Sequence, residues 1–160
     1  MTLFRPLALM LLLATPALAQ GQIDFGGLSQ DTSAPVEVTA DQLDVDQNDG
    51  SAVFSGNVLV TQGEMRLTAA RIVVNYATGE AGRIQTMNAT GGVTLVNGSE
   101  AAEAQEAVYD IDSGNVVMTG DVLLTQGQTA LSGNRLTIDL ETGTGRMEGR
   151  VRTIFETSGQ

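Results

Sequence analysis

The chain has 160 residues, a formal net charge of −11 at pH 7, and neither cysteine nor histidine. Without these two residue types it can form no Ser-His or Cys-His nucleophile pair and none of the common zinc sites. Its acidic balance also argues against nucleic-acid binding, which depends on many contacts between cations and phosphates. We therefore predict a protein that is not an enzyme, that needs no metal or cofactor, and that has no disulfides.

The first residues have the pattern of a secretory signal peptide. Arg5 supplies a positive charge, Leu7–Leu13 form a short apolar run, and Ala17–Ala19 match a cleavage site of the Ala-x-Ala type. The apolar run is shorter than the roughly 20 residues that a membrane-spanning helix needs. We predict export with cleavage after Ala19, which removes residues 1–19. Retention of this segment as a membrane anchor is the alternative.

Composition divides the rest of the chain into three parts. Residues 20–34 are rich in Gly, Ser and Gln and contain few apolar side chains, which predicts a flexible N-terminal segment. From Pro35 onward apolar and polar residues alternate nearly to the end of the chain. We predict one domain over residues 35–157, followed by a short C-terminal tail over residues 158–160.

A short motif with glycine in its second position recurs along this domain. Its four copies are Ser55–Val58, Thr90–Val93, Thr119–Val122 and Glu148–Val151, so the glycine returns after 35, 29 and 29 residues. A further glycine follows each of the first three copies at the same distance. Self-similarity of this kind indicates a stack of repeated units, each of which buries its apolar face against its neighbours.

Apolar and polar side chains alternate at equivalent places in the repeats, for example in Leu43–Asp46 and Leu136–Leu140. A period of two is typical of strands with one buried face, and glycine-containing turns separate these strands. Residues 99–107 have helical propensity, but their place in the repeat predicts a strand. The side chains predicted to face inward are Val38, Leu43, Val45, Phe54, Val58, Val60, Leu67, Ile72, Val74, Tyr76, Val93, Leu95, Tyr109, Ile111, Met118, Val122, Leu124, Leu131, Leu136, Ile138 and Leu140.

These features predict an all-β fold of about 16 short strands, each of about five residues. Tight turns join antiparallel neighbours, whereas parallel strands need longer crossovers. The turn spacing therefore favours an antiparallel meander that folds into two facing sheets. A parallel β-helix is the alternative on pattern alone.

Two acidic clusters suggest chemistry but lack the required arrangement. Asp110 and Asp112 could form a carboxylate pair of the glycosidase type, but both occupy outward strand positions. The run Asp44–Gly50 resembles a calcium-binding loop, but its glycine comes one position late and its twelfth position is Ser55 instead of glutamate. We predict neither a catalytic site nor a metal site.

The inward face is the remaining candidate for a function. It is lined by Val, Leu, Ile and Met, with few aromatic side chains. In most small β-domains such a face is only a packed core. In a long roll of two sheets that is open along one side, the same face could form a groove for acyl chains. The pattern of residues leaves both interpretations open.

Three sequence features together resemble a known family. They are Val38–Leu43, the repeated Gly-Asn-Val or Gly-Asp-Val followed by Thr-Gln-Gly, and Ala69–Tyr76. In this order, and behind a signal peptide, they resemble the OstA-like domain of the LptA family of lipopolysaccharide-transport proteins. The similarity covers about residues 35–155.

This resemblance implies a periplasmic protein with an open, slightly twisted antiparallel β-jellyroll, whose apolar interior holds the acyl chains of lipid A in lipopolysaccharide. It implies head-to-tail homo-oligomers that bridge an LptC-like inner-membrane protein and the N-terminal domain of an LptD-like outer-membrane protein. Exposed terminal strands would mediate these contacts through strand addition. The edge residues that this implies are Val36, Val38, Val151 and Ile154.

Two other functions are compatible with the same sequence. The chain could be an exported structural or adhesive β-solenoid that self-assembles without carrying lipid. It could also correspond to the LptC-like partner, in a form made soluble by signal cleavage. Both alternatives share the predicted fold with the lipid carrier, so the strand pattern does not separate them.

Overall fold

A computed structural model of the chain describes residues 23–24, 26–79 and 82–155. The predicted signal peptide and C-terminal tail, residues 1–19 and 158–160, lie outside the described residues. Regular structure in the described part consists of β-strands and one turn of 3₁₀ helix. No helix in that part is long and apolar enough to cross a membrane.

Eleven strands follow one another along the described chain, with the 3₁₀ turn at Gly26–Leu28 between the first two. Six of them have 11 to 14 residues, and the others have two to five. In chain order the strands are β1 Ile23–Asp24, β2 Val36–Thr39, β3 Gln42–Asp46, β4 Ser51–Gln62, β5 Met65–Tyr76, β6 Ile84–Asn97, β7 Glu100–Asp110, β8 Asn115–Gln126, β9 Thr129–Asp139, β10 Thr144–Glu148 and β11 Arg152–Phe155.

The six long strands form an antiparallel meander whose two ends divide. At one end β4 pairs with β3 through Ser51–Ser55 and with β2 through Leu59–Gln62. At the other end β9 pairs with β10 through Arg135–Asp139 and with β11 through Thr129–Ser132. Each long strand therefore contributes to two walls. We call the wall that contains β3 and β10 the first wall, and the wall that contains β2 and β11 the second wall.

The repeated glycine motif marks the corner at which each strand passes from one wall to the other. In β4, the two residues Gly56 and Asn57 lie opposite the single residue Ala70 of β5, which is a β-bulge. Both bulge residues have positive φ, +77° and +46°, and glycine adopts such values without steric cost. The extra residue bends the strand, so the apolar faces of its two halves can both point into one interior.

The structure confirms the all-β, open antiparallel fold and corrects the predicted number of strands. About 16 short strands were predicted, but the ladder continues through each corner and the described residues form 11 strands. Strands of about five residues were expected, but each long strand contains a bulge at its corner, and a bulge adds a residue without ending the pairing. All pairings are antiparallel, which excludes the parallel β-helix. Residues 100–107 are indeed strand, within β7.

Candidate functional site

The interior between the two walls contains most of the side chains predicted to face inward. Val38, Phe54, Tyr76 and Ile111 are partly buried and pack against the core. The predicted residues that are buried are Val58, Val60, Leu67, Ile72, Val74, Val93, Leu95, Tyr109, Met118, Val122, Leu124, Leu131, Leu136, Ile138 and Leu140. One continuous apolar cluster thus runs along the stack of strands.

At both ends of the roll this apolar interior is exposed. Leu43 and Val45 of β3 pair with Phe54 and Ala52, so they face inward as predicted. They are not enclosed, however, because 52% and 61% of their surfaces are accessible. At the opposite end Phe155 of β11 is 70% exposed.

The edge residues predicted from the resemblance lie at the same two ends. Val36 and Val38 of β2 are partly buried, whereas Val151 and Ile154 near the C-terminal edge are 48% and 49% exposed. Phe155 was missed as an edge residue, although it lies on the inward face through its pairing with Thr129. The exposed ends therefore present apolar side chains and strand edges that pair with no other strand in the described part of the chain.

Opposite the corners, the hairpin turns of the two walls form two rows with a seam between them. Residues 27–34, which we call the strap, lie along this seam. Leu28 of the strap is fully buried in the apolar cluster. Residues 20–34 were predicted to be a flexible lead-in, and that prediction did not anticipate the contacts that the strap makes with both walls.

Hydrogen bonds join the strap to the turns of the first wall. The Gln30 amide N–H donates to the carbonyl oxygen of Leu140 at 2.6 Å. The Thr32 hydroxyl lies 3.3 Å from the Glu141 carboxylate and donates to it. These contacts place the middle of the strap against the turn that connects β9 and β10.

Further hydrogen bonds join the strap to the turns of the second wall. The Gly27 N–H donates to Oε1 of Glu100 at 3.2 Å, and Nδ2 of Asn97 donates to the Ser29 carbonyl oxygen at 3.2 Å. Asn97 is only 3% exposed. The strap thus connects the two walls across the seam.

A polar pair lies inside this otherwise apolar region. Gln62 and Tyr109 are each 1% exposed, and the Tyr109 hydroxyl donates to Oε1 of Gln62 at 2.8 Å. Tyr109 belongs to the first wall and Gln62 to the second, so this hydrogen bond crosses the interior. Nε2 of Gln62 donates to the carbonyl oxygens of Thr32 and Ala34, each at 2.9 Å. The strap therefore supplies both acceptors that this buried amide needs.

The contribution of the buried Tyr109 hydroxyl to stability is expected to depend on pH. Burial raises the pKa of Tyr109 above its ordinary value; the hydrogen bond with Gln62 opposes this rise, and the charge of Glu141 adds to it. Because the folded-state pKa exceeds the unfolded one, the hydroxyl stabilises the fold below about pH 10 and loses this effect as the pH rises further. We expect Tyr109→Phe to lower the free energy of unfolding by about 1–2 kcal/mol at pH 7 and by less at pH 11. Urea unfolding at both pH values measures this, and a difference that does not shrink at pH 11 contradicts it.

Charge is distributed unevenly along the roll. Asp41, Asp44, Asp46 and Asp49 lie on or beside β3 at the first end, whereas four of the eight arginines fall within residues 135–152 at the last end. No group of three or more acidic, histidine or cysteine side chains in the described ranges is arranged to hold a metal ion. The first end is therefore acidic, whereas the last end carries four arginines together with three acidic residues. Contact between the aspartates of one copy and the arginines of another would favour end-to-end association.

Comparison with known proteins gives relatives along most of the chain. The lipopolysaccharide export system protein LptA of Escherichia coli K12 is 30% identical over 137 residues, which cover 82% of this chain and 73% of that protein. LptA of Haemophilus influenzae is 26% identical over 155 residues, covering 91% of this chain and 89% of that protein.

A solved structure shows the same fold. The crystal structure of LptH, the LptA-homologous periplasmic component of the lipopolysaccharide transport device of Pseudomonas aeruginosa, superposes with a TM-score of 0.71. The match covers 80% of this chain and 99% of that chain, at 18% identity. Residues 37–144 match the family described as "LptA/(LptD N-terminal domain) LPS transport protein". The chain therefore belongs to the LptA/LptD N-terminal domain family of lipopolysaccharide transport proteins.

Proposed function

We propose that the protein is a periplasmic carrier that holds the acyl chains of lipopolysaccharide between its two walls during export. The observation that carries the proposal is the continuous apolar interior, which is exposed at both ends, at Leu43 and Val45 and at Phe155. A core that served only stability would gain from being enclosed at its ends. An interior open at both ends can instead continue into a neighbouring protein.

Transfer of acyl chains into this interior would supply the binding energy. Burial stabilises a methylene group by about 0.8 kcal/mol, so a chain of about 12 carbons gains roughly 10 kcal/mol before the cost of association. The sugars and phosphates of the ligand would remain in water outside the seam. The protein would act as a passive conduit, and the direction of transport would be imposed by other components.

The ends of the roll would join the protein to its partners. An LptC-like inner-membrane protein and the N-terminal domain of an LptD-like outer-membrane protein would add strands at these edges, and further copies of the chain would stack head to tail between them. β2 and β11 each have one edge that pairs with no described strand, and both edges belong to the second wall. Pairing β11 of one copy with β2 of the next would continue that wall.

Site-specific photocrosslinking in cells tests the ligand. A small diazirine amino acid at Ile138, which faces the interior, is expected to form adducts with lipopolysaccharide. The same residue at Thr137, one position earlier on the outward face of β9, is the matched control. Asp139 is a poorer control because its carboxylate accepts hydrogen bonds from the next turn.

The outcomes separate a lipid carrier from a structural or adhesive protein. Adducts at position 138 that clearly exceed those at position 137 support the carrier. Equal labelling, or labelling at position 137 alone, contradicts it. Depletion of the protein is a second measurement, because only a carrier leaves newly made lipopolysaccharide at the inner membrane when it is removed.

A further inference from the structure

The strap occupies the entrance that an acyl chain would use. Leu28 contributes a fully buried aliphatic side chain to the apolar cluster, although it comes from outside the repeated strands. On one side of Leu28, Gly27 of the strap contacts Glu100 of the second wall. On the other side, Gln30 contacts Leu140 of the first wall. An acyl chain that entered through the seam would have to displace this segment.

The strap also accepts the hydrogen bonds that the buried side-chain amide of Gln62 donates. The two donor hydrogens of that amide are directed to the Thr32 and Ala34 carbonyl oxygens, and its own oxygen accepts from Tyr109. Removal of the strap would leave two buried donors without acceptors, at a cost comparable to lost hydrogen bonds. A ligand that brings carbonyl oxygens to the same place can offset this cost.

The attachment of the strap is weak compared with that of the strands. Residues 27–34 make no ladder pairing with any described strand. Three of their hydrogen bonds to the walls are exposed, and the other side-chain bonds to the walls are only partly buried. At Glu100, Oε1 accepts from the strap, while Oε2 is buried and has no hydrogen-bond partner among the described residues. A buried carboxylate oxygen without a hydrogen bond is unfavourable, so this contact stabilises the closed seam little.

We propose that residues 27–34 compete with the bound lipid for the seam and must leave it when the lipid enters. Leu28 lies where an acyl chain would lie, and the Thr32 and Ala34 carbonyls lie where the ester or amide carbonyl at the head of that chain would accept from Gln62. The ligand class is an amphiphile with ester- or amide-linked acyl chains. This inference rests on the proposed function, since it assumes that the interior binds acyl chains.

A disulfide can hold the strap in place. The chain has no cysteine of its own, so a new pair is unambiguous. A Cβ built on Gly27 would lie 3.0 Å from Cγ of Glu100, and the sulfur introduced by Glu100→Cys would take the position of this Cγ. Across a disulfide the distance from Cβ to the opposite sulfur is also about 3 Å. The double variant Gly27→Cys/Glu100→Cys is therefore suited to closing the seam by oxidation.

Binding of fluorescently labelled lipid A to the purified protein is the measurement. We expect the oxidised double variant to bind at least about tenfold more weakly than its reduced form, because the disulfide holds the strap in the seam and so lowers the fraction of protein that can bind lipid. The single variants Gly27→Cys and Glu100→Cys, each capped with a maleimide, control for the substitutions. Equal binding by the oxidised and reduced forms overturns the proposal that the strap competes with lipid, but it does not contradict the proposal that the protein carries lipid. Absence of binding by every form, including the unmodified protein, overturns both.

Two measurements do not depend on the disulfide. In the unmodified protein, hydrogen exchange at residues 27–34 is expected to accelerate when lipid A binds, while exchange in the long strands slows. Leu28→Ala is expected to tighten lipid A binding about threefold or more, because it weakens the closed state against which the ligand competes. Unchanged or slower exchange in the strap, or weaker binding by Leu28→Ala, contradicts the proposal.

Discussion

Gly91→Ala is expected to lower the free energy of unfolding by about 3 kcal/mol, although it adds a single methyl group. Gly91 has φ of +85°, which costs any other residue about 1–2 kcal/mol. The new Cβ would also lie 2.6 Å from Cβ of Ala70 on the neighbouring strand, and such overpacking costs a further 1–3 kcal/mol or so. Urea unfolding followed by circular dichroism measures the loss.

The next residue provides the matched control. Gly92 has the same φ of +85°, but a Cβ built there meets nothing within 4 Å. Gly92→Ala should therefore show the backbone cost alone, about 1–2 kcal/mol. Adding Ala70→Gly to Gly91→Ala should recover the part due to the collision. Equal losses in the two single variants would show that crowding between neighbouring corners is unimportant.

The corner glycines matter because neighbouring corners stack directly on each other. Cβ atoms built on Gly120 and Gly149 would likewise lie 2.7–2.8 Å from side-chain atoms of the adjacent strand, and a Cβ on Gly56 would lie 2.7 Å from Asp41 in the bend between β2 and β3. Each corner therefore needs both a positive φ and the absence of a side chain. This double requirement explains why the motif keeps glycine in its second position while the third position varies among Asn, Gly, Asp and Arg.

The alternation of side chains and the glycine frame were sufficient to predict the fold class and the inward face. Both signals are local, because the parity of a strand and the conformation of a bulge depend on neighbouring residues. The length of the strands could not be predicted in the same way. Gly56 and Asn57 would suit a turn between two strands equally well, and only the pairing with β5, which continues on both sides of these two residues, shows that the strand does not end there.

The strap was missed because its contacts are distant in sequence. Residues 20–34 have no periodicity, and one leucine among polar residues gives no sign that it is buried. The neighbouring Gly27 bonds to Glu100, which is 73 positions away in the sequence. A weak signal did exist on the opposite side of the seam. Gln62 and Asn97 occupy equivalent places before the turn glycines of their repeats, at inward positions where an amide needs a partner. Both amides bond to the strap.

Leu43→Arg combined with Val45→Arg is expected to weaken head-to-tail association of the protein by roughly 30- to 150-fold. Both side chains continue the apolar interior at the first end and are about half exposed. A second copy stacked on this end would bury the remainder, worth about 2–3 kcal/mol for the pair. The arginines would also place positive charge where the arginine-rich last end of the next copy would dock. Sedimentation velocity over a range of protein concentrations measures the effect.

Val108→Arg combined with Leu123→Arg distinguishes the ends from the rest of the surface. These two side chains are 41% and 38% exposed, but they lie on outward faces in the middle of the roll, so their replacement should leave association unchanged. Because the aspartates of the first end would meet the arginines of the last end, added salt should weaken association of the unmodified protein by screening these charges. A protein that does not self-associate, or one in which the central pair has the same effect as the end pair, contradicts assembly through the open ends. Continuity of the apolar interior from copy to copy depends on this contact, because the side chains that form the end of the interior are the same ones that would join the copies.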